Sequence, residues 1–498
     1  MTQLIRPRFI SRRYILPGGE RSATVVLMSG LKATNDLVNI LKKGGSSMVK
    51  KSYSLVFIMV LAVAMLVGCT SNSGGNKSNA GGNNPSPTNQ STETPSDKKD
   101  PVEIELVHYQ TGQEDAINQL LNEYFELTGV KVKQTLIDAK NNQQYLITRA
   151  QEKKFPDIYA GSLEGELLAN LVNAGLVENL LPEWESWGYD WLGEEKSFKG
   201  DLAEGNPWGA EAGKYGIPYM IATSGYYYNK KMLNDAGFDQ APTNWDEFLS
   251  FSEKVQAKGI SPIAYDFGDN WGSMNAVVFP IASNIFGGEE QLTAALKGDG
   301  LADPKWLEVF GKIAELRDKK YLAEGTAVLV MSDVEKKFIN EEVAVISNGS
   351  WFVPVLKSDA PDLDWIVALP PAVNTSNDVN IDGGVSISFT VAKNNKNMQE
   401  TKDFLKWFVD GPQQIKMTEL SGILPANSNA LAEADLDSNI KIIAGLGEKL
   451  TKKRMHALVT ESNIYEEFWK GLQALVEGKK SPEQLQQELM KVYAEKNK

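Results

Sequence analysis

The chain has 498 residues, of which 23% are charged, and its formal net charge is −13 at pH 7. An acidic balance argues against a nucleic-acid partner, whose phosphates require a basic surface. A single cysteine and two histidines exclude a disulfide framework, a zinc–cysteine site and almost every histidine-based catalytic scheme.

A secretory signal is predicted at residues 48–68. Lys50 and Lys51 precede an apolar run that ends at Leu66-Val67-Gly68-Cys69. A small residue followed directly by cysteine resembles the lipobox of bacterial lipoproteins, in which the cysteine is acylated and becomes the new N-terminus. The alternative is a transmembrane helix with an incidental cysteine, but the run is short for a bilayer span and polar residues follow at once.

The segments that flank the signal show no pattern of a folded domain. Residues 1–47 form an upstream extension if translation starts at Met48. The Lys-Lys-Gly-Gly run at residues 42–45 favours this start, because its codons would resemble a ribosome-binding site; an unusually long n-region is the alternative. Residues 69–100 are rich in Asn, Ser, Gly, Pro and Thr, which predicts a flexible tether.

Strands and helices are predicted to alternate from residue 102 onward. Residues 102–107 and 130–136 have the alternating pattern of strands, and residues 117–127 between them keep helical spacing up to Gly129. A strand–helix–strand opening implies parallel β-structure, with ligands beyond the carboxyl ends of the strands. Further helices are predicted to start at Thr243, as the cap, and at Ser481-Pro482.

No catalytic or metal-binding signature is complete. We find no nucleophile elbow, phosphate loop, dinucleotide fingerprint or His-Glu-x-x-His motif. Acidic pairs suit glycoside hydrolysis in principle but are mostly solvated surface in such chains; they include Glu194-Glu195, Glu289-Glu290 and Glu466-Glu467. Residues 378–383 match the first half of an EF-hand calcium loop, yet Phe389 stands where the closing glutamate is required. We therefore expect no enzyme, no cofactor and no metal.

A set of ordered motifs gives residues 102–498 a family resemblance. They are Phe-Pro-Asp-Ile at 155–158, Gly-Lys-Tyr-Gly-Ile-Pro-Tyr at 213–219, Tyr-Tyr-Tyr-Asn-Lys-Lys at 226–231, Ala-Gly-Phe at 236–238, Ala-Pro-Thr-Asn-Trp-Asp-Glu at 241–247, Val-Ala-Val-Ile at 343–346, Gly-Ser-Trp at 349–351, Asp-Gly-Gly at 382–384, Phe-Leu-Lys-Trp-Phe at 404–408 and Gly-Ile-Leu-Pro at 422–425. In this order, behind a lipobox, they resemble the family 1 extracellular solute-binding proteins, which are maltose-binding-protein-like carbohydrate receptors of ABC importers.

The resemblance implies an α/β fold of two lobes, which are joined by hinge strands and close over a ligand in the cleft between them. On this chain, lobe 1 would comprise residues 102–219 plus 383–425, and lobe 2 residues 220–382 plus 426–498. The ligand would be a sugar or oligosaccharide. The partners would be ABC permease subunits and, through a lipid on Cys69, the outer face of the bacterial cytoplasmic membrane; a monomer is expected.

Three alternatives stay open on the sequence. One is a sensory receptor of the same fold that signals to a membrane kinase. Another is a binder of a non-sugar solute, and the third is a secreted glycoside hydrolase.

The sugar site is expected to combine aromatic faces with polar groups, because pyranose rings have apolar C–H faces and hydroxyls that need partners. Trp351 matches the family's stacking tryptophan, although a core tryptophan at a helix start is the alternative. Trp271, in a polar loop, is the second candidate stacker. The other candidates lie at strand ends, in this loop or at the lobe crossings: Tyr109, Gln110, Glu114, Ser162, Glu164, Tyr219, Thr223, Asp266, Asp382 and Gly383.

Some candidates are expected to act through the backbone or through packing. Asp382 would shape a turn that presents the amides of Gly383 and Gly384 to the sugar. Asp157 is expected to hold the backbone. The remaining singled-out residues are tryptophans that are predicted to pack within the fold: Trp184, Trp187, Trp191 and Trp245.

Overall fold

The computed structural model describes residues 8–15, 22–29, 101–188, 200–451, 455 and 462–496. The predicted signal, Cys69, the tether up to residue 100, Trp191 and the Glu194-Glu195 pair lie outside the described residues. In the described part of the chain, no helix has both the length and the apolar composition of a membrane span. Two strands, β1 (Arg8–Ile15) and β2 (Ser22–Ser29), form an antiparallel hairpin that the sequence analysis did not predict.

Residues 97–498 form a compact unit of their own, which opens as a strand–helix–strand motif, as predicted. The elements up to residue 229 are β3 (Glu103–His108), α1 (Glu114–Thr128), β4 (Lys131–Leu136), α2 (Asn142–Glu152), β5 (Ile158–Gly161), α3 (Gly165–Asn173), α4 (Leu181–Trp187), β6 (Asp201–Leu202), β7 (Gly213–Lys214) and β8 (Ile217–Asn229). β3 lies between β4 and β5 and pairs with both in parallel.

The spacing of apolar residues explains the packing of α1. Ile117, Leu120 and Tyr124 are buried. The helix ends at Gly129, whose φ is 73°; glycine adopts this left-handed conformation without strain because it has no Cβ. The predicted stripe is one residue too long, because Leu127 is 69% exposed. It lies in the last turn, beyond the part of the helix that the sheet covers.

The chain continues with α5 (Lys230–Asp235), α6 (Trp245–Gln256), β9 (Ser261–Ala264), a π-helical segment (Gly272–Val278), α7 (Phe279–Phe286), α8 (Glu289–Ala295), α9 (Lys305–Asp318), α10 (Met331–Ile339), β10 (Val343–Gly349), α11 (Phe352–Asp359) and β11 (Trp365–Ala368). The cap of α6 is Asn244, whose side chain accepts a hydrogen bond from the amide of Glu247, and not Thr243 as predicted. Thr243 instead donates its amide and hydroxyl to Glu247.

The last elements are β12 (Gly383–Val391), α12 (Met398–Val409), α13 (Gly411–Ser421), β13 (Leu424–Pro425), α14 (Ser428–Glu433), α15 (Ser438–Gly445), α16 (Ser462–Val476) and α17 (Pro482–Lys496). Ser481 caps α17 as predicted: its hydroxyl accepts from the amide of Gln484, whose side chain accepts from the Ser481 amide. Phe468 of α16 packs edge-on against Trp306 and Phe310 of α9, so the C-terminal helices belong to the same core as residues 226–316.

Strand β8 links two groups of strands. The order across the sheet is β4-β3-β5-β12-β8-β10-β9. From Ile217 to Thr223, β8 pairs with β12, and from Ser224 to Tyr228 it pairs with β10. We call β3, β4, β5, β12 and the first half of β8 the first lobe, and the second half of β8 with β9, β10 and β11 the second lobe. The chain crosses between them at Thr223–Ser224.

The residues that the sequence analysis assigned to backbone support or packing make such contacts where the structure describes them. The Asp157 carboxylate accepts the amide of Glu105, and the Trp245 indole donates to Glu315 at 2.9 Å. Trp184 and Trp187 pack, half-buried, against the core, and Trp184 donates to the carbonyl of Gly216.

Candidate functional site

Trp271 and Trp351 lie against each other in the second lobe. Their ring centroids are 4.8 Å apart and the ring planes meet at 69°, an edge-to-face contact. The contact follows from the sheet: β9 and β10 are parallel neighbours, so the segments that follow them emerge at the same edge. Both rings are half-buried, and the indole nitrogen of Trp351 lies 3.4 Å from the sulfur of Met331. We call these two residues the aromatic corner.

Two glycines allow the aromatic corner to form. A Cβ on Gly349 would lie 2.1 Å from the ring of Trp351, so the ring covers the end of β10 only because residue 349 has no side chain. A Cβ on Gly272 would lie 1.9 Å from the carboxylate of Asp266. Both distances, measured from a Cβ built on the observed backbone, are far shorter than a van der Waals contact. Glycine is therefore required at both positions for close approach.

Three carboxyl groups lie next to the aromatic corner. Asp266 is 1% exposed and one of its oxygens has no hydrogen-bond partner among the described residues; burial raises its pKa well above the ordinary value, and nearby Asp269 adds to this. Asp269 accepts the Trp271 amide at 2.9 Å, and burial raises its pKa as well. Glu335 accepts a hydrogen bond from the Asn348 amide at 2.9 Å, and burial raises its pKa to about 7.

The raised pKa of Glu335 predicts a pH-dependent stability. The fold favours the protonated carboxyl, so the stabilising effect is present below the ordinary pKa of 4.5 and is lost as the pH rises through about 7. The free energy of unfolding, relative to that of Glu335→Gln, should fall by up to about 3 kcal/mol between about pH 4.5 and pH 8. Urea unfolding of both proteins at several pH values measures this difference.

Glu342→Gln is the control for that measurement, because Glu342 is exposed and pairs with Lys337 at the surface. Its pH profile between pH 4.5 and 8 should parallel that of the unchanged protein. If the pH profile of Glu335→Gln also ran parallel to that of the unchanged protein, Glu335 would be ionised throughout this range, contrary to the account.

Helix α16 supports the loop that carries Trp271. The Tyr465 hydroxyl donates to the carbonyl of Asn270 at 3.2 Å, and the Trp469 indole donates to that of Phe267 at 2.8 Å. The Gln473 amide also donates to Phe267, at 3.1 Å. Burial raises the pKa of Tyr465, as do the carboxylates of Asp382, Asp269 and Glu164. The sequence analysis missed all three α16 residues. The aromatic pair at positions 465 and 469, one helical turn apart, was the only available signal.

In the first lobe, Tyr109, Gln110 and Ser162 come together at the carboxyl ends of β3 and β5. The Ser162 amide donates to the Tyr109 hydroxyl at 3.3 Å, and both residues are half-buried. The Gln110 side chain is buried; it donates to the carbonyl of Ala160 and accepts the Tyr219 hydroxyl at 3.1 Å. Gln110 therefore orients its neighbours, while Tyr109 and Ser162 retain exposed surface.

Two acidic candidates begin helices at the same edge of the first lobe. Glu114 is the first residue of α1 and Glu164 directly precedes α3; both are half-buried. The charge of Glu164 adds to the raised pKa of Tyr465 on α16, which packs on the second lobe. Glu114 and Glu164 follow β3 and β5, so both lie at the strand-end edge of the first lobe, where ligands bind in α/β folds.

The structure places four predicted ligand-binding residues inside the packed lobe crossing, because the strands there are covered on both faces. Tyr219 is buried with its ring stacked on Phe389 at 4.4 Å, and the Thr223 hydroxyl donates to the carbonyl of Ile443. A Cβ on Gly383 would lie 2.2 Å from Leu450, so the absence of a side chain allows close packing of β12 at this crossing. Buried Asp382 accepts the amide of Met455 at 2.8 Å.

The side chains of the calcium-like loop have separate partners. Asp378 pairs with Lys449 at 2.9 Å, Asn380 accepts the hydroxyl of Ser283 at 2.9 Å, and Asp382 accepts the amide of Met455. Nowhere in the described ranges do three or more His, Cys, Asp or Glu residues form a group that could hold a metal ion. Each of the three loop side chains therefore has a partner within the protein.

Calcium is expected to leave the protein unchanged. Excess chelator and added calcium should give the same melting temperature and the same sugar affinity, because the loop side chains are already paired within the protein. Thermal unfolding and sugar titration under both conditions provide the measurement. A melting temperature lowered by several degrees on chelation would instead identify residues 378–389 as a structural metal loop.

The comparisons with known proteins agree with this architecture. Residues 119–444 match the family described as bacterial extracellular solute-binding protein. The multiple sugar-binding protein of Streptococcus mutans is 22% identical over 335 residues, which is 65% of this chain and 75% of that protein. A putative binding protein of Brucella abortus is 27% identical over 223 residues, which is 45% of this chain and 52% of that protein, so this match spans only about half of that relative.

Solved structures show the same two-lobed fold. A chitin oligosaccharide binding protein superposes with a TM-score of 0.63 at 24% identity, over 80% of this chain and 99% of that chain. Since the family match covers well over half of the sequence, the chain belongs to the bacterial extracellular solute-binding proteins.

Proposed function

We propose that this protein binds a sugar or oligosaccharide outside the cytoplasmic membrane and delivers it to an ABC import permease, without covalent chemistry. The observation that carries the proposal is the aromatic corner with carboxylates beside it. Half-exposed tryptophan faces suit the C–H faces of a pyranose, and Asp269 together with Glu164 supplies acceptors for its hydroxyls.

The names of similar proteins support a carbohydrate ligand. The Streptococcus mutans relative is described as binding multiple sugars, and the structural neighbour as binding chitin oligosaccharides. Both are distant in sequence, so the particular sugar of this chain does not follow from them. The proposal uses only the ligand class that both names share, which is carbohydrate.

Hinge closure at strand β8 is the proposed mechanism of capture. The strand changes partners at Thr223–Ser224, and Tyr109, Ser162 and Glu164 face the cleft from the first lobe. A ligand that contacts both lobes favours the closed form, because only that form makes both sets of contacts. The lobes proposed from the sequence are residues 102–219 plus 383–425 and residues 220–382 plus 426–498, acting as a monomer, and the change of strand partners moves the first boundary to residues 223–224.

The proposed location is the outer face of the bacterial cytoplasmic membrane. Residues 48–68 would be the signal, Cys69 the acylated N-terminus, residues 69–100 the tether and residues 1–47 an upstream extension. The support is the lipobox pattern in the sequence together with an extracellular family. The mass of the unprocessed precursor tests the extension, since a start at Met48 leaves no peptide from residues 1–47.

A thermal-shift screen of the mature protein against a glycan panel tests the proposed function. A ligand at about a hundred times its dissociation constant stabilises the folded state by about 2.7 kcal/mol, which is a clear rise in melting temperature. We expect at least one mono- or oligosaccharide to produce this rise. A panel in which only polyamines or other non-sugar solutes stabilise the protein would contradict the carbohydrate assignment.

Gene deletion separates transport from signalling. A receptor that serves a permease is needed for uptake of its sugar, so radiolabelled uptake should be lost on deletion and restored by the gene in trans. Loss of induction with uptake intact would instead identify a sensory receptor.

A further inference from the structure

Trp208 is an exposed tryptophan in the loop between β6 and β7 that the site described so far does not use. The residue is 39% exposed. Its backbone carbonyl accepts the Asn173 side chain at the end of α3, whereas the tip of its ring would lie 3.6 Å from a Cβ on Gly165 at the beginning of that helix. The indole therefore lies along α3 and reaches the helix start.

The beginning of α3 follows the carboxyl end of β5, the edge of the first lobe where Ser162 bonds to Tyr109. Ligands bind beyond the carboxyl ends of the strands in α/β folds, so Gly165 lies at the ligand-binding edge of this lobe. Trp208 thus lies at the strand-end edge of the first lobe, and the aromatic corner at the strand-end edge of the second.

Trp208 stays 39% exposed although its ring lies beside Gly165. Among the large apolar residues exposed in the described part of the chain, Phe125 is the other aromatic one. Phe125 lies in the last turn of α1, at the end of the sheet away from the carboxyl ends of the strands. Of these two, Trp208 alone lies beside the carboxyl end of a strand, the place where ligands bind in α/β folds.

We propose that Trp208 forms a separate aromatic subsite in the first lobe, so that the cleft takes an oligosaccharide of at least two sugar units rather than a monosaccharide. This inference rests on the proposed function. A pyranose ring stacks on one indole face, and two separate aromatic platforms, one in each lobe, require two rings. Stacking on Trp208 also removes an exposed apolar surface from water.

Binding of two homologous ligand series tests the subsite. The probes are glucose to maltotetraose and N-acetylglucosamine to chitotetraose, titrated into the unchanged protein, Trp208→Ala, Trp208→Phe and the control Phe125→Ala. We expect Trp208→Ala to lower the affinity for the longer members at least about tenfold, with no change for the shortest member that binds. Trp208→Phe should recover part of the loss, and Phe125→Ala should bind like the unchanged protein.

The length dependence separates this inference from the proposed function and from simple destabilisation. If the unchanged protein binds oligosaccharides and Trp208→Ala binds every length equally well, the subsite is wrong while the proposed function stands. An equal loss at all lengths, or tightest binding of a monosaccharide, also overturns the subsite. If neither series nor any other sugar binds the unchanged protein, the proposed function itself fails.

Discussion

Replacing Trp351 by alanine is expected to weaken binding of the cognate sugar at least about thirty-fold, which corresponds to about 2 kcal/mol. The substitution removes the stacking face and leaves a void in the closed cleft. It also removes the edge contact that orients Trp271, because the two rings touch at a centroid distance of 4.8 Å. Titration calorimetry of the purified variant gives the affinity.

The matched control is Trp187→Ala, which removes a half-buried tryptophan of the first lobe that packs on the core. It should leave the affinity unchanged. Unchanged affinity in a folded Trp351→Ala variant would mean that the ring over Gly349 only fills space at the start of α11. That result would favour the alternative role of Trp351 as a core residue.

Replacing Cys69 by serine is expected to abolish membrane attachment of the mature protein. Serine cannot take the thioether-linked diacylglycerol, so the chain should remain an uncleaved precursor or leave the membrane. Several acyl chains on one cysteine hold a protein stably, whereas a single chain holds it only marginally. Fractionation followed by mass measurement of the N-terminal peptide distinguishes these forms.

The control for anchoring is Ser71→Ala in the predicted tether, which should be processed and anchored normally. If Cys69→Ser still fractionates as a processed membrane protein, the lipoprotein assignment is contradicted. The sugar affinity of the soluble form should equal that of the anchored form, because the anchor is separated from residues 102–498 by the tether.

Local patterns predicted the elements of the fold well because they depend on neighbours in sequence. The buried positions of α1 follow its helical spacing, and the Ser481 cap is visible within four residues of sequence. The cap of α6 was misplaced by one residue because Thr243 and Asn244 are both good cap residues. Only the geometry shows that the Asn244 side chain makes the capping bond.

The roles of residues on β8 were harder to predict, because every residue of this strand is buried. A central strand covered on both faces loses the alternation that separates inward from outward side chains. Tyr219 and Thr223 were therefore assigned to the cleft from their place near the lobe crossing. The structure places both in the packed crossing, through stacking on Phe389 and a hydrogen bond to Ile443, and their contact with a ligand stays a prediction.

The sequence singled out the two aromatic residues of the candidate site but not the residues that hold them in place. Trp271 and Trp351 each carried a signal, a polar loop and a Gly-Ser-Trp turn, but their mutual contact depends on the parallel pairing of β9 with β10. Tyr465 and Trp469 reach their partners across about 200 residues of sequence, which no local pattern reveals. Trp208 carried no motif and is identified only by its exposure beside Gly165.

Titration calorimetry of the mature protein with the sugar found in the glycan screen, followed by recovery of that sugar, tests the central claim most directly. The account predicts saturable binding at a single site and recovery of the ligand with its mass and linkages unchanged. Failure of every carbohydrate to bind, or release of shorter products from the bound sugar, would contradict a non-catalytic carbohydrate receptor.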